Sequence, residues 1–209
     1  MKQGFLLFTL AFFSCVHHTS AQEIQTDSLH FSTFGTVHLY QKTKEPDQVV
    51  LFILGGDGWN AGVVEMAKML AEQNALVVGI NIDHLFRNLA AIDQGCIFPA
   101  AHFQDLAEYV QRERGLSEYH IPLLAGYSSG APLVYVLLAE APVNTFAGGM
   151  SLGFSPELDF AKPFFKRAKL QSKPKSNKKG YFFFPVSTLD VPWIVLQGTN
   201  DQVSNPVAT

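Results

Sequence analysis

The stretch "LLAGYSSGAPLVYVLLAEAP", residues 123–142, decides how the whole chain is interpreted. Two apolar runs flank a turn of small residues, Gly126 to Gly130, with Ser128 at its centre. The first run predicts a buried strand and the second a helix, since Pro132 stands where a first helical turn tolerates proline. A serine on such a sharp turn is a candidate nucleophile, because glycines on both sides relieve the crowding. A purely structural turn is the alternative.

An acyl-transfer serine needs two N–H donors for the negative charge that develops on the substrate oxygen. The N–H of Ser129, at the start of the predicted helix, is one candidate. The second is expected in "LGGDGWN" (54–60), which follows another apolar run; we predict the N–H of Asp57, with Gly56 beside it. A phosphate-binding loop and a plain turn are the alternatives, but the glycine spacing matches neither nucleotide-binding pattern.

The acid that completes a serine triad is predicted at Asp201. It follows the apolar run that ends at Gly198, and in the order Ser…Asp…His the acid comes after such a strand. Asp190 precedes this strand and Asp159 lies in an irregular stretch, so both are weaker candidates. An unrelated surface aspartate is the alternative interpretation of Asp201.

The base of the triad is not apparent in the sequence. No histidine follows Asp201, where this order requires one. His84 and His102 are the nearest substitutes among the seven histidines, which are His17, His18, His30, His38, His84, His102 and His120. We therefore expect a chain truncated at its C-terminus, with a final strand, a final helix and the histidine missing. Loss of catalysis in favour of binding is the alternative.

Strand and helix patterns alternate along the chain in the order β-β-α-β-α-β-α-β, then an irregular stretch and a last strand. The predicted strands span 36–41, 48–56, 75–81, 121–127, 146–154 and 192–198, and the predicted helices 61–74, 101–115 and 129–141. Alternation of this kind predicts an α/β fold with a doubly wound, mostly parallel sheet. Ligands of such sheets bind beyond the carboxyl ends of the strands.

Residues 155–190 interrupt this alternation with basic and aromatic residues. Eight of the fifteen basic residues lie there, namely Lys162, Lys166, Arg167, Lys169, Lys173, Lys175, Lys178 and Lys179. A solvated insertion is one interpretation. The other is a lid that places aromatic rings near a substrate and contacts an anionic membrane surface through residues 162–179.

Composition and the N-terminus bound the class of protein. A length of 209 residues, 47% hydrophobic, suits a single domain, and a net charge of −3 does not favour nucleic acid. Residues 1–21 are typical of a signal peptide cleaved after Ala21, which predicts a periplasmic or secreted protein with residues 22–209 as the domain. Lipidation of Cys15 is the alternative. Cys96 then remains as a single thiol, and we expect neither a metal nor a cofactor.

The runs "VVLFILGGDGWN", "VVGIN", "LLAGYSSGAPLVYVLLAEAP" and "SLGFSPELDF" resemble the VirJ family of bacterial α/β-hydrolase-like proteins, which includes the C-terminal part of AcvB. The resemblance extends from about Val49 to Val203. It implies a periplasmic serine hydrolase, for some members one that cleaves lysyl-type aminoacyl-phosphatidylglycerol, and a link to virulence-associated secretion. It places the nucleophile at Ser128, the acid near Asp201 and the oxyanion loop at Gly56–Asp57. A non-catalytic envelope binding or assembly protein, and an esterase or peptidase with another substrate, stay open as alternatives.

Overall fold

The computed structural model describes residues 22–55, 59–93, 95–164, 170–176 and 179–201. The predicted signal segment with Cys15 lies outside these ranges. In chain order the elements are β1 (Gln25–Phe31), β2 (Gly35–Gln41), β3 (Gln48–Leu54), α1 (Ala61–Glu72), β4 (Ala75–Asn81), α2 (Ile82–Ala91), α3 (Pro99–Glu113), β5 (Leu123–Tyr127), α4 (Gly130–Glu140), β6 (Gly148–Leu152), β7 (Glu157–Leu158), β8 (Ser172–Pro174), β9 (Tyr181–Phe183) and β10 (Trp193–Leu196).

Seven strands form one sheet in the order β1-β2-β4-β3-β5-β6-β10. The five strands from β4 to β10 in this order are parallel to one another, while β1 and β2 run antiparallel at one side. Chain crossovers lead outward in both directions from β3, so the sheet is doubly wound. The predicted α/β class with a mostly parallel sheet is confirmed.

Helices cover both faces of the sheet, because the central strands bury alternate side chains on opposite sides. On β3, Leu51 and Ile53 join the core formed with α2, α3 and α4, whereas Phe52 joins the smaller core under α1. Every residue of α4 is buried, which explains why its sequence is apolar all round up to its last residue, Glu140.

The helix ends follow from identifiable residues. The side chain of Asn60 accepts a hydrogen bond from the N–H of Val63 and caps α1, as predicted. Gly115 has φ +66° directly after the last residues of α3, the left-handed conformation that ends helices. The predicted helix 101–115 is shifted by two residues, since Pro99 occupies the first turn.

Two elements of the sheet region were not predicted. Strand β1 carries mostly exposed, polar side chains, because it pairs only with β2 at the edge of the sheet. Helix α2 begins immediately after β4, with the side chain of Asn81 accepting from the N–H groups of Asp83 and His84. A strand and a helix without an intervening loop leave no turn signal in the sequence.

The opposite edge strand, β10, is only partly covered. Ile194 is 55% exposed, and Val195 and Leu196 are also exposed. Trp193 is the residue of β10 that packs against the core. The strand is therefore held mainly by its hydrogen bonds to β6 and by this one indole.

The prediction that residues 155–190 are irregular is wrong in the described part. Strands β7, β9 and β8 form a second, antiparallel sheet in that order. Its apolar side chains belong to the larger core of the domain, namely Leu158, Phe160, Phe164, Leu170 and Phe183. The insertion is thus a packed part of the domain and does not match a solvated loop.

The described cations of the insertion have partners within the protein. Lys175 forms ion pairs of 2.8 Å with both Glu157 and Asp159, and Lys162 donates to the carbonyl of Ile92 after α2. The ammonium of Lys173 lies 5.2 Å from the centroid of the Phe182 ring. Lys166, Arg167, Lys169 and Lys178 lie outside the described residues. Among the described helices, none is long and apolar enough to cross a bilayer.

We expect Phe183→Ala to destabilise the domain by about 3–5 kcal/mol, because it removes a fully buried ring. The matched control is Phe184→Ala, whose ring is 37% exposed, with an expected cost below about 1 kcal/mol. Urea unfolding followed by circular dichroism measures both free energies. Equal costs would show that the insertion does not contribute to the core.

Candidate active site

Ser128 occupies the turn between β5 and α4 and has a strained backbone. Its φ is +55°, in the left-handed region that non-glycine residues rarely adopt. Its N–H donates to the carbonyl of Leu152 at the end of β6 (3.0 Å), and its carbonyl accepts from Ala131 of α4 (2.9 Å). These two bonds hold the strained turn, and the residue is exposed at the carboxyl edge of the sheet. The geometry is that of a serine presented to solvent.

The glycines beside Ser128 are required by close backbone contacts. A Cβ on Gly126 would lie 2.4 Å from the carbonyl oxygen of Gly130. A Cβ on Gly130 would lie 2.2 Å from the carbonyl oxygen of Ile53 in β3. The helix α4 therefore begins in direct contact with β3 and β5. A residue larger than glycine at position 126 or 130 would prevent this contact. The steric reason inferred from the sequence is confirmed.

The predicted oxyanion donor Ser129 lies beside the end of β3. A Cβ on Gly55 would be 2.9 Å from the backbone nitrogen of Ser129 and 2.0 Å from its Oγ. Gly55, at the start of the glycine-rich loop, thus lies against the backbone of Ser129, the residue before α4. Gly56 and Asp57 lie outside the described residues, so the second donor remains a prediction.

Trp59 fixes the other end of this loop, a role that the sequence analysis missed. Its indole N–H donates to the hydroxyl of Tyr40 (2.7 Å) and its ring stacks on His38 with centroids 4.7 Å apart. The ring lies against Gly79 of β4, where a Cβ would be 1.8 Å from the indole. An aromatic residue directly after a glycine-rich loop was the available signal. Both ends of the loop are therefore held on the sheet.

Asp201 lies beyond the carboxyl ends of the parallel strands, as Ser128 does. Tyr127, Leu152 and Leu196 are in register across β5, β6 and β10, and Asp201 lies in the turn that follows β10. Its Oδ2 accepts a hydrogen bond from Nε2 of Gln197 (3.3 Å). Since the two strands are separated only by β6, about 10 Å apart, a side chain between them has room to contact both residues.

The competing carboxylates are in poorer positions. Asp190 precedes β10 and therefore lies at the end of the sheet where the amino ends of the parallel strands are. Asp159 is bound to Lys175 in the insertion. Of Asp190 and Asp201, Asp201 is the one that follows the carboxyl end of β10.

His84 is held away from Ser128. A Cβ on Gly35 would lie 2.3 Å from Nε2 of His84, so the imidazole packs on the start of β2. Strand β2 is three positions from β5 in the sheet, about 14 Å away. The imidazole therefore contacts the antiparallel side of the sheet.

The other described histidines have different environments. His30 is on the edge strand β1, and His38 stacks on Trp59, where burial lowers its pKa. The backbone of His120 is bound to the side chain of Gln111, before β5 begins. His102 lies in the first turn of α3; burial lowers its pKa, and the nearby carboxylate of Asp105 opposes this shift.

The described residues contain no cluster of three His, Cys, Asp or Glu side chains that could hold a metal ion. Cys96 is a partly buried free thiol.

The comparisons with known proteins concern the fold. Neither the protein-family profiles nor the curated proteins gave a match to this sequence. Among solved structures, a putative dienelactone hydrolase from Klebsiella pneumoniae superposes with a TM-score of 0.53 at 15% identity, covering 89% of this chain and 77% of its own.

Two further structures superpose over a smaller share of their length. Brefeldin A esterase, a bacterial homologue of human hormone-sensitive lipase, gives a TM-score of 0.46 at 17% identity, over 70% of this chain and 43% of its own. The Francisella virulence factor BioJ gives 0.47 at 16% identity, over 64% and 45%. The strand order and the superposition on the dienelactone hydrolase show that this chain has the α/β-hydrolase fold.

We expect Gly130→Ala to lower the free energy of unfolding by about 1–3 kcal/mol or more, because the new methyl group would push α4 away from Ile53. Gly62→Ala in α1 is the matched control, since its Cβ would meet nothing closer than 3.5 Å. That change should leave stability unchanged or raise it by up to about 1 kcal/mol. Denaturant unfolding compares the two; a harmless Gly130→Ala would contradict the tight turn.

Proposed function

We propose that the protein is a serine hydrolase that cleaves an ester, with Ser128 as its nucleophile. The observation that carries the proposal is the exposed Ser128 at φ +55°, between a buried strand and a buried helix, with the N–H of Ser129 beside the loop after β3. Strain of this kind persists only where the surrounding structure over-determines it, and it concentrates at functional sites.

The chemistry follows two acyl-transfer steps. Oγ of Ser128 bonds to the carbonyl carbon as a base takes its proton, and the carbonyl electron pair moves onto the oxygen. The N–H groups of Ser129 and Asp57 receive that oxyanion. Collapse breaks the ester C–O bond, and the alcohol leaves with the proton from the base. Water then repeats the sequence on the acyl-enzyme and releases the acid.

Asp201 is proposed to orient and charge-stabilise the base. Its place one strand beyond β6 supports this role, because an imidazole between Ser128 and Asp201 would reach both. Because His84 packs on Gly35 and His38 stacks on Trp59, neither is assigned as the base, and we propose that a histidine absent from this chain supplies it. Without such a base serine is a poor nucleophile at neutral pH.

The substrate class is proposed from the resemblance to the VirJ family. We assign an aminoacyl ester of an anionic lipid, with lysyl-phosphatidylglycerol as the first compound to test, and a periplasmic or secreted location. Contact of residues 162–179 with an anionic membrane is part of the same proposal. An envelope binding or assembly role without catalysis is the second candidate, supported by the positions of the described histidines.

The first test is labelling of the complete gene product with a fluorophosphonate, which reacts with activated serines. We expect labelling of the wild-type protein and complete loss in Ser128→Ala. Ser129→Ala keeps its backbone N–H and is the matched control, expected to retain at least about half of the labelling rate. Equal labelling of wild type and Ser128→Ala would remove Ser128 as the nucleophile.

Exogenous imidazole tests the assignment of the base on the 209-residue chain itself. We expect imidazole to accelerate hydrolysis of a nitrophenyl ester by the wild-type chain beyond its own reaction with the ester. The Ser128→Ala chain should show only the reaction of free imidazole. Absence of rescue together with absence of labelling would favour the non-catalytic alternative.

Asp201→Asn, measured on the complete gene product, should lower kcat by roughly 10⁴-fold, because the base loses the carboxylate that orients it. Asp190→Asn at the other end of β10 is the control and should leave kcat within about twofold. Ester hydrolysis under saturating substrate measures both. Comparable losses in the two variants would remove Asp201 from the site.

A further inference from the structure

An aromatic pocket of about 410 Å³ lies between the insertion and the main domain. We use the name aromatic pocket for the cavity whose walls are Tyr135, Phe154, Phe183, Val186, Leu189 and Trp193. These residues come from α4, the segment after β6, the insertion and the start of β10. The volume is in the lower part of the range typical of small-molecule sites, about 300–1,000 Å³.

The polar atoms of the two largest amphipathic side chains are satisfied inside the protein. The hydroxyl of Tyr135 donates to the carbonyl of Phe184 (2.9 Å) and accepts from the N–H of Val186 (2.8 Å). The indole N–H of Trp193 donates to Oγ of Ser151 (3.0 Å), away from the cavity wall. Burial raises the pKa of Tyr135, so its phenol stays neutral. These rings therefore offer apolar surface to a ligand.

The wall is built from rings that contact one another. The centroid of Trp193 lies 5.0 Å from that of Tyr135 and 5.1 Å from that of Phe154. None of the described residues that line the cavity is charged, and the exposed Ser187 and Thr188 add hydroxyl groups to it. A charged group entering would lose water without an ionic partner, which is costly. A hydrocarbon chain loses nothing by leaving water there and gains burial.

One wall residue of the aromatic pocket, Phe154, is close in the chain to the hydrogen-bond partner of Ser128. The carbonyl of Leu152 accepts from the N–H of Ser128, and Phe154, two residues further on, is part of the pocket wall. The N–H of Phe154 donates to Oε1 of Gln197 (3.0 Å), whose amide nitrogen binds Asp201. The segment from Leu152 to Phe154 thus connects the nucleophile, the acid and the cavity.

We propose that the aromatic pocket binds the uncharged hydrocarbon chain of the ester that Ser128 attacks. The proposal rests on the proposed hydrolase function for its connection to Ser128, but binding itself is measurable without catalysis. It assigns a charged aminoacyl group to a position outside this cavity. The chain belongs either to the acyl or to the alcohol side of the ester, since both present the same methylene surface.

Bromine on the ligand chain tests the site, because bromine quenches a tryptophan that it contacts. The two probes are the methyl ester of a terminally brominated fatty acid and the acetate ester of a terminally brominated fatty alcohol. Trp193 lies in the pocket, whereas Trp59 lies under α1 with the other core. We expect saturable quenching of the wild-type chain and its loss in Trp193→Phe, while Trp59→Phe keeps it.

Rim variants separate binding from the fluorescence of Trp193 itself. Thr188→Arg places a charge at the exposed rim and should weaken binding of the quencher roughly tenfold. Thr26→Arg adds the same charge to the exposed edge strand β1 and is the control, with unchanged binding. The probe that binds more tightly identifies the side of the ester that carries the chain. Quenching that persists in Trp193→Phe, or is equal in both arginine variants, would overturn the proposal.

The Ser128→Ala chain distinguishes failure of the pocket from failure of the hydrolase function. Quenching should persist in Ser128→Ala, since the serine hydroxyl is not part of the wall. Fluorophosphonate labelling without quenching would leave the hydrolase in place and reject the pocket. Quenching without labelling would leave an apolar binding site and reject the catalytic role.

Discussion

The fold depends on a close contact between the backbones of β3, β5 and the start of α4, where glycines leave no side chain between them. Gly126, Gly130 and Gly55 let β3, β5 and the start of α4 approach to distances at which any Cβ would overlap a main-chain atom or Ser129. This contact fixes where α4 begins, so it also fixes the orientation of the first N–H groups of that helix. The rest of the core, including a helix that is buried on every side, is built around this junction.

The insertion extends the same core beyond the sheet. Phe164 forms a β-bridge with Ile97 in the loop before α3, and the carbonyl of Phe184 accepts a hydrogen bond from Tyr135 of α4. Because Tyr135 forms hydrogen bonds to the backbone of Phe184 and Val186, the insertion is attached to α4, the helix that follows Ser128. A ligand that separated these contacts would act on both parts of the molecule. The aromatic residues that indicated a lid in the sequence therefore serve first as structural anchors.

The sequence predicted those strands and helices whose hydrophobic pattern, cap or stop residue lies within the element itself. The apolar runs of β3, β4 and β5, the cap at Asn60 and the stop at Gly115 were all readable, since each depends on residues within one turn or strand. Strand β1 was missed because an edge strand exposes polar side chains on both faces. The second sheet was missed because strands of two or three residues carry almost no periodicity.

The site was predictable to the same extent. Ser128 and Ser129 could be proposed from the sequence because the glycine spacing is a local property, and Asp201 because chain order places it after β10. The anchoring role of Trp59 and the contact of His84 with Gly35 arise from pairing between distant strands. No pattern within one segment indicates such contacts. From the sequence, the histidines could therefore be compared as candidate bases only by their positions along the chain.

The left-handed backbone of Ser128 lowers the stability of the fold at the residue that the proposed catalysis requires. A non-glycine residue in that conformation costs about 1–2 kcal/mol, so glycine would relieve the strain at the position where a hydroxyl is proposed to react. Screens that reward heat resistance alone should accordingly enrich glycine there, whereas screens that also require turnover should not. The residue found at position 128 in the surviving variants would then show whether they had been selected for stability alone or also for turnover.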